Sequence, residues 1–172
     1  DARTDEGVDA IIRTAVDTYG GVHGLVNIVG VAAPHTWCKA ENTTREIWQE
    51  IMASNLDYAM FLSIAAARQM MAQGTGGSIV ALSSTSGIGA SPFHGAYGIA
   101  KGGIVAMVRT LAVAWGPHGI RANAIAPGTI ETPMTAGTDR NAMKVNPLPR
   151  LGRPEEIAWP IAFLCSPGAS FM

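Results

Sequence analysis

Residues 77–101 read GSIVALSSTSGIGASPFHGAYGIAK, and the order of textures within them decides the fold. Gly77-Ser78-Ile79-Val80-Ala81-Leu82-Ser83 is a short apolar run opened by glycine, the pattern of a buried strand. A Ser/Gly loop through Pro92 follows. From Ala96 to Trp115 the apolar positions Ile104, Val105, Met107, Val108, Leu111, Ala112 and Trp115 recur at helical spacing and cover more than one face. The same alternation appears on either side. Upstream, Asp5 to Tyr19 carries Val8, Ile11, Ile12, Ala15 and Val16 at helical spacing and stops at Gly20-Gly21, and Leu25 to Gly30 reads as a second short strand. A loop through Pro34 and Trp37 leads to Thr43-x-x-Glu46, the pattern of a capping box, and to a long helical stretch ending near Gln73. Downstream, Ile120 to Ala126 is a strand closed by Pro127-Gly128, and Pro154-Glu155-Glu156 opens a last helix. Strands alternating with helices give an α/β fold around a parallel sheet, in which ligands sit beyond the carboxyl ends of the strands. Asn27 to Gly30, Ser83-Ser84 and Pro127-Gly128 therefore line one rim.

Composition narrows the class. The 172 residues are 48% hydrophobic and 15% charged, enough to bury a core, and their net charge of -1 carries no basic stripe for nucleic acid. Cys38 and Cys165 sit in no Cys-x-x-Cys or Cys/His pattern, and the four histidines show no ligand spacing. No metal site is expected, and reduced thiols point to the cytoplasm. The uncharged stretch from Gln69 to Ala100 is broken by glycine, serine and proline well short of the ~20 apolar residues of a spanning helix, so no membrane partner is expected. Asn42-Thr43-Thr44 fits a glycosylation sequon but reads more simply as a helix start.

Tyr97 and Lys101 lie four residues apart near a helix start, so both side chains share one face. A phenol titrates near pH ~10, and a nearby ammonium favours the phenolate, which brings tyrosine toward use as a general acid or base. Ser84, at the end of the preceding strand, is placed to hydrogen bond to a substrate oxygen beside it.

Together these residues make the chain similar to the short-chain dehydrogenase/reductase family over essentially its whole length. Leu82-Ser83-Ser84, Gly87, Pro92 and Tyr97-Gly98-Ile99-Ala100-Lys101 resemble that family's active-site stretch. Ser54-Asn55-Leu56 resembles its helix asparagine, Ile120 to Gly128 with Thr132 its nicotinamide-side strand and turn, and Arg150 to Ala158 its late helix entry. The resemblance implies a Rossmann-like doubly wound sheet, of which three strands and their flanking helices are visible. It also implies hydride transfer between NAD or NADP and a ketone or secondary alcohol. Tyr97 would exchange the proton, Lys101 would lower the tyrosine pKa and hold the nicotinamide ribose, Ser84 would orient the substrate, and Asn55 would keep a relay water. Cofactor contacts would come from Asp1, Asn27, Gly30, Tyr97, Lys101, Pro127, Gly128, Ile130 and Thr132. Ser86, His94 and Met134 would face the substrate, with Met143 in the same covering loop. Asn27-Ile28-Val29-Gly30 departs from the family's usual Asn-Asn-Ala-Gly, with two bulkier residues at its centre.

No Gly-x-Gly-x-x-Gly turn is present, and in the resembling family that turn precedes the segment matched by Asp1. The expectation is one Rossmann-like domain over residues 1–172, truncated at both ends and inactive in isolation. Two other functions use the same fold: a cofactor-binding sensor or scaffold without turnover, and an epimerase or dehydratase. The helices from Asp57 to Gln73 and from Ala96 to Trp115 are apolar on more faces than one sheet covers, which points to a homo-oligomer, a tetramer or dimer.

Overall fold

The computed structural model describes residues 1–137 and 147–172; Met143 lies outside the described residues. Three parallel strands, β1 (Gly24–Asn27), β2 (Gly77–Leu82) and β3 (Ile120–Ile125), stand in the order β1-β2-β3. Val26 lies opposite Val80, and Leu82 opposite Ile125, so the strand ends form a single level rim. Among the described residues five α-helices flank them: α1 (Asp5–Tyr19), α2 (Arg45–Met52), α3 (Tyr58–Gln73), α4 (Gly95–Trp115) and α5 (Pro154–Cys165).

Side chains alternate across a strand, so β2 addresses two layers. Ile79 and Ala81 face a core built from Ala66, Ala67 and Met70 of α3 and from Ile104, Met107 and Leu111 of α4. On the opposite face the Ser78 hydroxyl donates to the Leu164 carbonyl of α5 at 2.9 Å. Helices thus cover both faces of a parallel sheet, as the sequence pattern requires. The stretch Gly95–His118 is long and apolar enough to cross a membrane by composition, but Ala100, Ile104, Val108 and Leu111 of it are buried within the fold.

The structure refines several sequence-based boundaries. Strand β1 stops at Asn27 rather than at Gly30, because Ile28 to Val31 turns away to meet Asn55 and the start of α3 at Tyr58. The first helix starts and stops as read: the Thr4 hydroxyl accepts from the Gly7 N–H, and Gly20 closes it at φ +79°. The cap of α2 is Thr44, not Thr43; its hydroxyl accepts from the Ile47 N–H at 3.3 Å, and Thr43 instead lies beside Cys38. The single long helix expected up to Gln73 is interrupted by a π-helical turn at Ala53–Asp57. π-Turns insert one extra residue and commonly mark functional sites, and this one carries Asn55.

The loop after β2 is pinned to α4 by a close backbone approach at Gly87. A Cβ there would lie 2.5 Å from the Lys101 carbonyl carbon and 2.7 Å from the Gly102 nitrogen. Backbone cannot yield as a flexible side chain does, so Gly87→Ala is expected to destabilise the fold by about 1–3 kcal/mol. Denaturant unfolding of the variant measures this, and an unchanged midpoint would contradict the packing described.

Candidate active site

The end of β2 and the first turns of α4 are joined by a reciprocal pair of hydrogen bonds. The Ser83 hydroxyl donates to the Lys101 carbonyl at 2.7 Å, and the Lys101 ammonium donates to the Leu82 carbonyl at 2.9 Å. Lys101 is only 3% exposed. Burial disfavours its charged form and pushes its pKa down to about 8. One bond to Leu82 leaves two of the three ammonium protons for other acceptors.

Tyr97 sits one turn earlier, its ring centroid 5.6 Å from the Lys101 ammonium nitrogen. Burial pushes the phenol up from its ordinary pKa, and a hydrogen bond with Ser84 opposes that rise. The sequence reading gives the lowering influence to Lys101; in the structure it comes from Ser84, because the ammonium points to Leu82. Ser84 is itself set by the loop, its hydroxyl accepting from the Ser86 N–H at 3.1 Å.

Asn55 reaches the rim from the π-turn. Its amide donates to the Val31 and Ile51 carbonyls at 2.9 and 3.0 Å and accepts from the Val31 N–H at 3.1 Å. Gly30 lies where Asn55 and Lys101 converge: a Cβ on it would stand 2.9 Å from Asn55 Oδ1 and 3.0 Å from Lys101 Nζ. Only glycine permits that approach. Tyr58, which the sequence reading did not single out, anchors the same turn by donating to the Val29 carbonyl at 2.7 Å. Its burial, partly offset by that bond, raises its pKa to about 12. The bulk of Ile28 and Val29 displaces no core residue, since both are more than half exposed, Ile28 onto the cavity at the strand ends.

Gly30, Ser84, Ser86, His94, Tyr97, Lys101, Pro127, Gly128, Ile130, Thr132 and Met134 line one cavity of about 980 Å³. The turn from Pro127 to Thr135 is held rigidly: Thr135 donates to the Ile130 carbonyl at 2.6 Å, and Gly152 donates to the Thr129 carbonyl at 3.0 Å. Two expected cofactor residues lie elsewhere. The Asn27 side chain turns beneath the sheet and donates to the Ser63 hydroxyl at 2.9 Å, so it braces β1 against α3. The Asp1 carboxylate is taken up by Arg3, outside the cavity. Sequence reasoning also missed the far wall, made by Ile157, Ala158, Ile161 and Ala162 of α5. Their spacing of three and four residues was the available signal. The entry to α5 is fastened by Glu156, whose carboxylate accepts two hydrogen bonds of 2.7 Å from Arg150 and one of 2.8 Å from the Arg153 N–H.

A family model described as enoyl-(acyl carrier protein) reductase matches residues 1–172. The chain belongs to the short-chain dehydrogenase/reductase family. It is 35% identical over 179 residues to an L-rhamnose 1-dehydrogenase (NAD(P)(+)) of Azotobacter vinelandii, covering 100% of this chain and 68% of that protein. It is 36% identical over 177 residues to a galactitol 2-dehydrogenase (L-tagatose-forming) of Cereibacter sphaeroides, covering 98% of this chain and 68% of the relative. Among solved structures, a short-chain type dehydrogenase/reductase from Mycobacterium ulcerans superposes with a TM-score of 0.90 at 28% identity, covering 100% of this chain and 64% of the other.

The buried lysine has a measurable consequence for a member of this family. In the unfolded chain its pKa is about 10.4, against about 8 when folded. Between those values the unfolded chain holds the proton and the folded one has released it, so stability rises with pH from about 8 to about 10. Above that, Tyr58, raised to about 12, contributes in the opposite sense. Urea unfolding at pH 8, 9 and 10 is expected to show this rise in the natural protein and not in Lys101→Met; parallel pH dependences would refute the burial argument.

Proposed function

We propose that this chain carries the catalytic site of an oxidoreductase that moves a hydride between NAD or NADP and a ketone or secondary alcohol. The observation that carries the reading is the convergence of Ser84, Tyr97 and Lys101 on one cavity at the strand ends, with a glycine at Gly30 where any side chain would collide. The residues fit a nicotinamide nucleotide. Lys101 has two ammonium protons that would serve ribose hydroxyls, and the turn through Ile130 and Thr132, braced internally by Thr135, would stand beside a carboxamide. When bound, the cofactor supplies or accepts the hydride.

The chain's own residues handle the proton and the orientation. Ser84 holds the substrate oxygen beside Tyr97, and Tyr97 gives that oxygen a proton in reduction or takes it in oxidation. Because burial keeps the phenol protonated and Ser84 moderates the effect, Tyr97 is set as the acid. The Lys101 proton, held with a pKa of about 8, is exchangeable near neutral pH, so Lys101 would keep a proton available beside the phenol. Asn55 keeps Val31, and with it Gly30, in place against Lys101.

Three further features belong to the same proposal. Among the described residues the outer edge of β1 has no strand partner, which supports a sheet that continues past β1 in the active enzyme. Phe61 on α3 and Val113 on α4 are exposed apolar side chains, which supports pairing of copies into a dimer or tetramer through those helices. Free thiols at Cys38 and Cys165 support a cytoplasmic location.

Tyr97→Phe removes the proton donor and leaves the ring. It is expected to lower kcat/KM for ketone reduction by about 10²-fold or more, with an unchanged circular dichroism spectrum. Undiminished turnover in that variant would sink the mechanism.

A further inference from the structure

Trp37 stands in the loop between β1 and α2 and has no part in the chemistry described above, yet it is fixed from three sides. Its indole N–H donates to the Ala32 carbonyl at 2.9 Å, and its backbone N–H donates to the Pro34 carbonyl at 3.1 Å. The next residue, Cys38, forms a parallel β-bridge with His94. Its ring meets the His94 ring edge to face, with centroids 4.8 Å apart and planes at 85°, a favoured aromatic geometry. A half-exposed tryptophan that is held this firmly is a built surface rather than a mobile side chain.

That surface belongs to the active-site cavity. Trp37 and His94 both line it, and His94 precedes Tyr97 by one helical turn. Met134 and Ala32 extend the same lining. Burial lowers the His94 pKa from its ordinary value, which keeps the imidazole neutral at neutral pH. Among the described lining residues the charged ones are Lys101, which lies beside Tyr97 and bonds Leu82 with one of its protons, and Glu155 at the entry to α5. The polar lining comprises Ser84, Ser86, His94, Tyr97 and Thr132, so only substrate hydroxyls laid against Trp37 and Met134 would lose water without finding partners, and unpaired buried polar groups are strongly disfavoured. A hydrocarbon ring gains by burial against an aromatic face.

We propose that Trp37, braced edge-on against His94, is a specificity-determining wall of the site and selects uncharged ketones and alcohols that carry a hydrocarbon ring over open-chain polyols. This rests on the oxidoreductase reading above. It assigns Trp37 no role in proton or hydride transfer, so its loss acts on ring recognition and not on small substrates.

The test compares cyclohexanone, acetone and an open-chain polyhydroxy ketone as substrates of the enzyme, of Trp37→Ala and of Trp37→Phe. The natural enzyme is expected to favour cyclohexanone over the polyhydroxy ketone by about 10²-fold or more in kcat/KM. Trp37→Ala is expected to lower kcat/KM for cyclohexanone by about tenfold, mostly through KM, and to change acetone by less than about threefold. Trp37→Phe restores most of the loss. Preference for the polyol, or an equal loss on cyclohexanone and acetone, would overturn the wall while leaving the oxidoreductase intact. Saturation-transfer NMR with cyclohexanol separates the two claims: ring contact that disappears in Trp37→Ala, without turnover of any ketone, keeps the wall and rejects the hydride chemistry. Absence of ring contact in the natural protein overturns the wall.

Discussion

The arrangement of this site depends on one buried cation. Lys101 is almost fully enclosed, and the structure tolerates it because the Leu82 carbonyl at the end of β2 accepts its hydrogen bond. That bond fixes the register between a strand end and a helix start, and Ser83 closes the same joint from the other side by donating to the Lys101 backbone. A buried ammonium with one partner keeps protons in reserve and releases one more readily than an exposed lysine does. The two close glycine approaches follow from it: Gly30 and Gly87 both face Lys101, one at its side chain and one at its backbone.

Around that joint the fold spends its polar groups on holding loops. Asn55 in the π-turn between α2 and α3, and Tyr58 just after it, grip Val31 and Val29. The loop after β1 is thereby held from two points on either side of Gly30, so its bulky Ile28 and Val29 stay exposed without disturbing the approach to Lys101. Thr135 and the bridge between Ile130 and Gly152 do the same for the turn after β3. All three strand ends carry loops braced by side-chain hydrogen bonds, which is how a rim of loops keeps the precision that chemistry needs.

Much of this was legible in the sequence because it rests on local pattern. The strands are short apolar runs, and the Tyr97/Lys101 spacing places two side chains on one helix face whatever surrounds them. What escaped depends on distant parts of the chain. The π-turn at Asn55 has no composition of its own, and it lies where α2 and the turn both pack against the distant α4. The phenol of Tyr97 feels burial and Ser84 more than Lys101, a balance set by where the ammonium points and not by the four-residue spacing. Asn27 looked like a rim residue because it ends β1, but strand alternation turns its side chain to the opposite layer, where Ser63 receives it. The α5 wall was invisible because its row of small and branched residues reads equally well as packing against the sheet.

The function follows from a cavity in which a protonated phenol, an orienting hydroxyl and a buried ammonium meet, and it reduces to one bond-forming event. That event is read most directly by mass spectrometry of the alcohol formed from a ketone and a nicotinamide cofactor carrying deuterium in both positions of its reactive carbon, with the enzyme in ordinary water. The account predicts one deuterium bound to the carbinol carbon and an ordinary hydrogen on the oxygen. An alcohol whose carbon-bound hydrogen comes from water would contradict it.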